Sequence, residues 1–264
     1  MKLHPLFILA VAMTSCCQQK TENQSTKSEP TQLLMATAWY QQSAEMRACY
    51  YQSYRMAQTT LEANLQNYQG DKPAAVVLDI DETVLDNSPF EAKLIADKAT
   101  YSDSAWMAWS ERCEARALPG APEFVSFAKS KGVEVFFISN RTSAERQTTL
   151  KNLADAGMPT DSANLLTRVP GKSSCKDERR EQVASKYEVL LFIGDNLGDY
   201  KSLFDGRDGT LALNLADSMQ ADFGTKFIIL PNPMYGEWEN AIYGYDFKAS
   251  APEKKQMMLG LLRK

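Results

Sequence analysis

The fold is decided by the stretch Val76-Val77-Leu78-Asp79-Ile80-Asp81-Glu82-Thr83. This stretch continues an apolar run that begins at Ala74 and contains β-branched residues, which is typical of a central strand covered on both faces. Two carboxylates, Asp79 and Asp81, stand where the strand is predicted to end. Because like charges this close together need a cation or a shared proton to be tolerated, the pattern predicts a functional site at the strand end.

Two further strongly apolar strands are predicted at residues 133–138 and 189–193, and polar residues follow each of them. The first is followed by Ser139-Asn140-Arg141 and the second by Gly194-Asp195-Asn196. The weaker strand candidates are residues 164–166, 211–214 and 227–230. The helical patterns are at residues 31–68, 90–116, 123–131, 143–156 and 176–186. This alternation of buried strands and helices predicts an α/β fold with a doubly wound parallel sheet.

The residues that carry chemistry follow separate strands. Asp79 and Asp81 follow the first strand, Ser139 and Asn140 the second, and Asp195 the third. Ligand sites in open parallel sheets gather at the carboxyl ends of the strands. We therefore expect these side chains to meet at one edge of the sheet.

Other interpretations of the paired carboxylates are less consistent with the sequence. A calcium-binding loop that starts at Asp79 would need glycine at position 84 and glutamate at position 90, where the chain has Val84 and Phe90. The carboxylates of a glycosidase normally come from separate elements spaced for a sugar. The sole histidine, His4, lies in the N-terminal leader described below. Its position excludes the hydrolases and zinc sites that depend on histidine.

The run Asp79-Ile80-Asp81-Glu82-Thr83-Val84-Leu85-Asp86-Asn87-Ser88 resembles the first motif of the haloacid dehalogenase (HAD) superfamily. It closely resembles that of the class C acid phosphatases, the bacterial lipoprotein e family. The resemblance covers essentially the whole chain after residue 30 and implies a HAD-like Rossmannoid sheet with a small helical cap. It also implies that Asp79 attacks phosphorus to form an aspartyl-phosphate and that Asp81 is the general acid/base.

The resemblance extends to the phosphate-binding residues. It implies that Ser139 and Asn140 donate hydrogen bonds to phosphoryl oxygens, and the alternative is that they cap the following helix. A lysine is then needed to offset the charge of the phosphoryl group and the nucleophile. Lys176 matches the family's Lys-x-x-Arg-x-x-Gln-Val pattern, and Lys172, in Gly171-Lys172-Ser173, is the alternative.

The run Gly194-Asp195-Asn196-Leu197-Gly198-Asp199 resembles the family's fourth motif, and in isolation it would be an ordinary turn. The resemblance implies Mg²⁺ as cofactor, bound by Asp195, the carboxylate of Asp79 and the main-chain carbonyl of Asp81. Such an all-oxygen octahedron is the geometry that Mg²⁺ prefers. Asp199 is expected to hold metal-bound water or the catalytic lysine.

Three aromatic residues, Tyr101, Trp106 and Tyr235, match positions that the family uses to stack a nucleobase. This match implies that nucleoside monophosphates are among the small phosphomonoester substrates. Core packing is the alternative role for each aromatic residue. Two alternative functions also stay open: a narrow sugar-phosphate hydrolase of the same superfamily, and a non-catalytic surface-binding lipoprotein on the same fold.

The first thirty residues are interpreted as a targeting segment. Residues 1–15 have a positive start and a short apolar stretch, and Met13-Thr14-Ser15-Cys16 resembles a bacterial lipobox in which Cys16 is lipidated. Residues 16–30 are polar and predict a flexible tether. We expect an outer-membrane lipoprotein that faces the periplasm or the cell surface and touches the membrane through its lipid only. Cleavage without lipidation would leave the protein secreted or periplasmic.

Residues 31–264 are expected to form one phosphatase domain. Its cap is predicted from residues 31–68 and 90–116, and its core from residues 74–89 and 119–264.

Charge and cysteine content add limits on partners and cross-links. The formal net charge is -4 and no run of Lys and Arg is present, so nucleic-acid binding is not expected. The resemblance implies a homodimer. The body of the chain holds three cysteines, Cys49, Cys113 and Cys175, which leaves one disulfide open but predicts no complete framework.

Overall fold

The predicted central strand is the middle strand of a five-stranded sheet in the computed structural model, which describes residues 31–206 and 211–263. In chain order the strands are β1 (Ala74–Leu78), β2 (Leu85–Asp86), β3 (Arg116–Ala117), β4 (Glu134–Thr142), β5 (Leu165–Arg168), β6 (Glu188–Gly194) and β7 (Phe227–Ile229). The sheet has the order β5-β4-β1-β6-β7, and all its pairings are parallel. Strands β2 and β3 form a separate antiparallel ribbon. The predicted α/β class with a parallel sheet is thus confirmed.

Helices connect the strands and cover the sheet. In chain order the described α-helices are α1 (Thr31–Gln42), α2 (Ala44–Asn67), α3 (Ser88–Ala96), α4 (Asp103–Ser110), α5 (Ala121–Ser130), α6 (Arg146–Asp155), α7 (Asp177–Ala184), α8 (Leu213–Ser218), α9 (Glu237–Ile242) and α10 (Ala251–Leu261). Local sequence explains several of the helix starts. Ser43 caps α2 by accepting a hydrogen bond of 3.0 Å from the backbone N–H of Met46. A proline in the first turn of α5 follows Gly120, whose φ of +88° favours glycine.

Alternate residues of β1 face two different cores, because successive side chains of a strand point to opposite faces. Val76 and Leu78 are fully buried in the larger cluster, together with Tyr54 of α2. On the other face, Ala75 and Val77 pack in a second cluster with residues of β4, β5 and α7. Helices therefore cover both faces, as the doubly wound arrangement requires.

Two predictions of secondary structure are wrong in detail. Residues 211–214 were expected to be a strand, but α8 begins at Leu213. A run of three apolar residues and an asparagine fits a helix as well as a strand, and this run has no neighbouring strand to pair with in the described sheet. The single helical pattern at residues 90–116 is divided into α3 and α4, and the chain then enters β3.

The two N-terminal helices have different neighbours. Helix α1 lies against α3, whereas α2 packs on α5, β6 and β7. The sequence assigned residues 31–68 as a whole to the cap, but α2 instead lies in the layer that covers the sheet. A helix that buries Tyr50, Tyr54 and Leu61 on one face needs a large apolar surface, and the sheet provides it.

The predicted signal peptide (residues 1–15), tether (residues 16–30) and lipidation site at Cys16 lie outside the described residues. Among the residues that the structure does describe, none of the helices is long and apolar enough to cross a membrane.

Candidate active site

Three adjacent strands bring the predicted site residues to one edge of the sheet. Strand β1 lies between β4 and β6, and all three run in the same direction. Asp79 follows β1 directly, Ser139 lies in the last part of β4, and Asp195 follows β6. The backbone N–H of Asp79 donates to the carbonyl of Ile193 at 2.9 Å, which ties the end of β1 to the end of β6.

A buried lysine lies between two carboxylates. The ammonium of Lys176 donates to Oδ1 of Asp79 and, at 2.6 Å, to Oδ1 of Asp199. Burial lowers the pKa of Lys176, but the carboxylates of Asp199 and Asp79 raise it by more, so the pKa lies above its ordinary value. Lys172, the alternative lysine, is exposed. The geometry thus places Lys176, and not Lys172, against the predicted nucleophile.

Asp195 lies beside Lys176 and Asp199 at the end of β6. Its Oδ2 accepts a hydrogen bond of 2.8 Å from the side-chain amide of Asn232, and its Oδ1 accepts one of 3.3 Å from the hydroxyl of Thr83. Burial, followed by the charge of Asp199, raises the pKa of Asp195 to about 7. A nearby cation would therefore stabilise the ionised form of the Asp195 carboxylate.

A metal ion fits this group of carboxylates. Asp79, Asp195 and Asp199 each offer an oxygen, and these oxygens lie within 4.8 Å of one another. The three carboxylates carry three formal negative charges, and Lys176, which contacts two of them, supplies one positive charge. A divalent cation would offset the remaining charge, and carboxylate oxygens are hard ligands of the kind that such ions bind. The residues that could hold a metal are therefore Asp79, Asp195 and Asp199.

The carboxylate of Asp81 has other partners. The guanidinium of Arg141 donates to its Oδ1 from Nη2 at 2.8 Å and from Nε at 3.0 Å. The side-chain amide of Asn87 also donates to this oxygen, at 2.8 Å. Within the described residues the contacts of Oδ2 are longer, at 3.3 Å, from Ser139 Oγ and Arg141 Nε. The two aspartates of the motif therefore project into different surroundings, Asp79 toward Lys176 and Asp81 toward Arg141.

The two residues predicted to bind phosphate differ in exposure. Ser139 is fully buried, and its hydroxyl accepts from the backbone N–H of Arg141 at 3.0 Å while it donates to Asp81. Asn140 is exposed, and its side-chain oxygen accepts from Arg179 Nη2 at 2.8 Å. Arg179 also donates to the carbonyl of Ser139 at 2.6 Å. This arginine therefore adds a positive charge beside the strand end.

Two of the three predicted aromatic residues lie together. The ring of Phe90 is in edge contact with Tyr101 and with Trp106, at centroid distances of 6.2 Å and 5.4 Å. The guanidinium of Arg141 lies 5.5 Å from the Trp106 ring centroid, which places this cluster next to Asp81. Tyr101 is 58% exposed and so has ring surface available to a ligand. Tyr235 lies in the segment that carries Asn232, and the structure records no ring contact between it and the other two among the residues described.

Tyrosines of α2 hold the loop that follows Asp81. The hydroxyl of Tyr50 donates to the carbonyl of Glu82 at 2.5 Å, and that of Tyr54 donates to the carbonyl of Thr83 at 2.7 Å. Both tyrosines are buried, and Glu82 has a φ of +56°, which is uncommon for a residue with a side chain. These hydrogen bonds stabilise a backbone conformation that positions Asp79 and Asp81.

Sequence reasoning missed Arg141, Asn87, Asn232 and Arg179 as members of the site. Three of them had a signal: Asn87 lies in the first motif, Arg141 follows Ser139-Asn140 directly, and Arg179 is the arginine of the Lys-x-x-Arg-x-x-Gln-Val pattern. Asn232 lies 37 residues from Asp195, and nothing in its local sequence connects the two.

Comparison with known proteins identifies the family. The chain belongs to the HAD superfamily, subfamily IIIB (acid phosphatase), whose family model matches residues 7–238. The resemblance found in the first motif is therefore confirmed. The class C acid phosphatase from Bacillus anthracis has a similar structure, with a TM-score of 0.83 and 42% sequence identity, and the match covers 88% of this chain and 97% of that one. A structure of that protein with tungstate bound matches to the same extent.

Plant proteins are more distant relatives. Acid phosphatase 1 of Solanum lycopersicum is 27% identical over 164 residues, which cover 60% of this chain and 57% of that protein. The stem 28 kDa glycoprotein of Glycine max is 27% identical over 165 residues, which cover 60% of this chain and 58% of that protein. The chain thus spans less than three-fifths of the length of these relatives.

Proposed function

We propose that this protein hydrolyses phosphomonoesters with Asp79 as nucleophile and Asp81 as general acid/base. The observation that carries the proposal is the contact of the buried Lys176 ammonium with Asp79 at the end of the central strand, next to Asp195 and Asp199 at the end of β6. The lysine orients the carboxylate and offers positive charge where a phosphoryl group would arrive. Membership of the acid phosphatase subfamily supports the same reaction.

The proposed reaction has two steps. In the first, an oxygen of Asp79 attacks phosphorus, the bond to the leaving oxygen breaks with its electron pair, and that oxygen takes a proton from Asp81. In the second, Asp81 takes a proton from water, the water oxygen attacks phosphorus, and the bond to Asp79 breaks to release phosphate. The two aspartates can divide these roles because their side chains have different partners, Lys176 for Asp79 and Arg141 for Asp81.

Mg²⁺ is the proposed cofactor. Asp79, Asp195 and the main-chain carbonyl of Asp81 are the proposed ligands, and the carboxylate of Asp199 lies beside the first two. When bound, the metal would offset the charge of these carboxylates and of the phosphoryl oxygens. The Bacillus anthracis enzyme, 42% identical, has been obtained with tungstate, an oxyanion related in shape to phosphate. A site in the present chain that binds both a phosphate-like oxyanion and Mg²⁺ would place the two ions next to each other.

Nucleoside monophosphates are the proposed substrates. The cluster of Phe90, Tyr101 and Trp106 lies near Asp81, through the contact of Trp106 with Arg141. A nucleobase can stack on an exposed aromatic ring largely irrespective of its identity, so we expect several bases to be accepted. A narrow sugar-phosphate hydrolase would make no use of this surface.

The test is a substrate panel with Mg²⁺ supplied. Wild-type, Asp79→Asn and Asp81→Asn proteins would be assayed for phosphate release from p-nitrophenyl phosphate, four nucleoside monophosphates and several sugar phosphates. We expect Asp79→Asn to be inactive on every substrate, with an unfolding transition like that of the wild type. Full activity of Asp79→Asn would overturn the mechanism. Tight binding of nucleotide without turnover by the wild-type protein would instead indicate a binding protein.

The aromatic cluster is tested separately. Trp106→Ala is expected to raise KM for nucleotides roughly fivefold or more, because stacking contributes on the order of 1–3 kcal/mol per base, and to change KM for sugar phosphates much less. Tyr51→Ala, a change at a half-exposed tyrosine of α2, is the control. An equal change in KM for both substrate classes would argue against base stacking.

We also propose that the protein is exported and anchored by a lipid on Cys16. The lipobox-like sequence before Cys16 supports this, and no nucleic-acid partner is proposed. Metabolic labelling with a fatty acid, followed by fractionation of the membranes, is the test. Label that is retained in Cys17→Ser and lost in Cys16→Ser would support the assignment, and loss only in Cys17→Ser would contradict it.

A further inference from the structure

The two oxygens of the Asp81 carboxylate are held unequally. Oδ1 accepts three hydrogen bonds of 2.8–3.0 Å, from Asn87 Nδ2, Arg141 Nη2 and Arg141 Nε. From the part of the chain that the structure describes, Oδ2 accepts at 3.3 Å, from Ser139 Oγ and Arg141 Nε. Hydrogen bonds to a carboxylate are normally 2.7–2.9 Å when strong, so Oδ1 is the anchored oxygen and Oδ2 is the one free to exchange partners.

The groups that anchor Oδ1 are themselves immobilised. The side chain of Arg141 is 1% exposed, and its guanidinium lies against the Trp106 ring and within 3.4 Å of the Thr149 hydroxyl. Asn87 is also buried, and its Oδ1 accepts from the indole N–H of Trp109 at 2.8 Å and from Arg141 at 3.3 Å. The carboxylate is thus attached to a rigid network and not to mobile surface groups.

We infer that Arg141 and Asn87 are positioning residues that hold Oδ1 of Asp81 and so present Oδ2 as the oxygen that exchanges a proton with the leaving group. The inference rests on the proposed function. In the first step, the proton on Oδ2 passes to the leaving oxygen as its bond to phosphorus breaks, and Asp81 becomes a carboxylate. In the second step, Oδ2 takes a proton from the attacking water. A catalytic group must be held close to its productive orientation for such transfers to be fast.

This role predicts a dependence on the leaving group that a merely structural role does not. An alkoxide is strongly basic and leaves only with a proton, whereas p-nitrophenolate leaves readily without one. Loss of a well-positioned general acid typically costs 10²–10⁴-fold when the proton is needed. A residue that only maintains the fold, or only binds phosphate, affects both kinds of substrate alike.

The experiment compares kcat/KM for an alkyl phosphate, β-glycerophosphate, with that for p-nitrophenyl phosphate. The variants are Arg141→Lys, which keeps the charge but loses the paired donors, and Asn87→Ala. We expect kcat/KM for β-glycerophosphate to fall about 30-fold or more in Arg141→Lys, and that for p-nitrophenyl phosphate to fall less than about threefold. Arg146→Lys is the matched control, since this arginine bonds the carbonyls of Ser162 and Leu165 and does not contact Asp81.

A second measurement uses the Asp81→Asn background. If Arg141 acts through Asp81, adding Arg141→Lys to Asp81→Asn produces no further selective loss on β-glycerophosphate. If Arg141→Lys fails to give a cooperative unfolding transition, the same comparison of kcat/KM for the two substrates is made with Asn87→Ala. Equal losses on both substrates, or no loss on either, would overturn the inference.

Failure of the inference can be told from failure of the proposed function. If Asp79→Asn keeps full activity, the proposed function fails whatever Arg141 does. If Asp79→Asn is inactive and Asp81→Asn loses mainly the alkyl phosphate, while Arg141→Lys lowers both substrates equally, only the positioning role is overturned.

Discussion

Gly194 and Asp199 lie so close together that a side chain at position 194 would overlap the carboxylate of Asp199. A Cβ built on Gly194 would meet Oδ2, Cγ and Cβ of Asp199, so the conflict involves the whole side chain and not only its flexible end. Asp199 cannot easily move, since Oδ2 accepts from the backbone N–H of Asn196 at 3.0 Å and Oδ1 accepts from Lys176. The last residue of β6 therefore sets the position of a carboxylate five residues later.

Replacing Gly194 tests this relationship. In Gly194→Ala the added methyl group should displace Asp199 and with it Lys176, and the overpacking should lower the free energy of unfolding by roughly 1–3 kcal/mol. Because Lys176 contacts the nucleophile Asp79, we also expect kcat/KM to fall about tenfold or more. Steady-state kinetics and thermal unfolding are the measurements. Gly260→Ala is the control, because none of the described residues has an atom within 4 Å of a Cβ at that position of α10. Wild-type activity in Gly194→Ala would show that Asp199 can shift without consequence.

Lys176 and Lys172 can be distinguished by substitution. Lys176→Met removes the ammonium from two buried carboxylates, and we expect kcat/KM to fall at least about 100-fold, the scale seen when one preorganised electrostatic partner is removed. Lys172→Ala, at an exposed position, should stay within about twofold of the wild type. Phosphate release under saturating Mg²⁺ is the measurement. The reverse ranking of the two variants would assign the catalytic lysine to position 172.

Much of the sheet could be predicted from the sequence because its strands are apolar on both faces. The runs that contain Val76 and Ile193 have no polar alternation, and such runs are typical of buried parallel strands. Residues 211–214 also form a short apolar run but lie in the region of α8, since four residues carry too little periodicity to separate helix from strand. Whether such a short run becomes a strand depends on a neighbouring strand with which it can pair, and not on its local composition.

The site could be predicted as far as its residues lie in the last part of a strand or directly after it. Asp79, Ser139 and Asp195 come together because the carboxyl ends of neighbouring parallel strands meet at one edge. The sequence could not show that Asp81 would face Arg141, because side-chain direction after a strand end depends on the turn that follows. It could not show that Asn232 would reach Asp195, because the contact depends on how two distant loops pack.

Tyr54, one of the two tyrosines of α2 that donate to the loop after Asp81, offers a test of how α2 supports the site. In Tyr54→Phe the carbonyl of Thr83 loses its 2.7 Å hydrogen bond in a buried setting, which costs about 1–3 kcal/mol of unfolding free energy. Urea denaturation would measure the loss, and kcat/KM should fall with it because the loop directly follows Asp79 and Asp81. Tyr51→Phe, at a tyrosine that is 50% exposed, should change the free energy of unfolding by less than about 0.5 kcal/mol. Similar effects in the two variants would contradict a specific role for Tyr54.

The ionisation of a buried acid outside the catalytic cluster should be visible in how the free energy of unfolding depends on pH. Glu91 of α3 is 8% exposed, and burial, with the nearby carboxylate of Glu239 of α9, raises its pKa to about 7 from an ordinary value near 4.5. Burial also raises the pKa of Glu239, while the hydroxyl of Tyr243 and the ammonium of Lys254 act in the opposite sense.

An acid with a raised pKa in the folded state binds its proton more tightly there than in the unfolded chain. Its ionisation therefore opposes folding: the free energy of unfolding should fall as the pH rises from about 4.5 to about 7, by on the order of 3 kcal/mol, and change no further above that. Glu91→Gln should remove this contribution to the fall in the free energy of unfolding. The variant should therefore be more stable than the wild type at pH 8. Urea denaturation at several pH values is the measurement, with Glu111→Gln at an exposed position as the control. Parallel pH profiles for Glu91→Gln and the wild type would show that Glu91 does not titrate in this range.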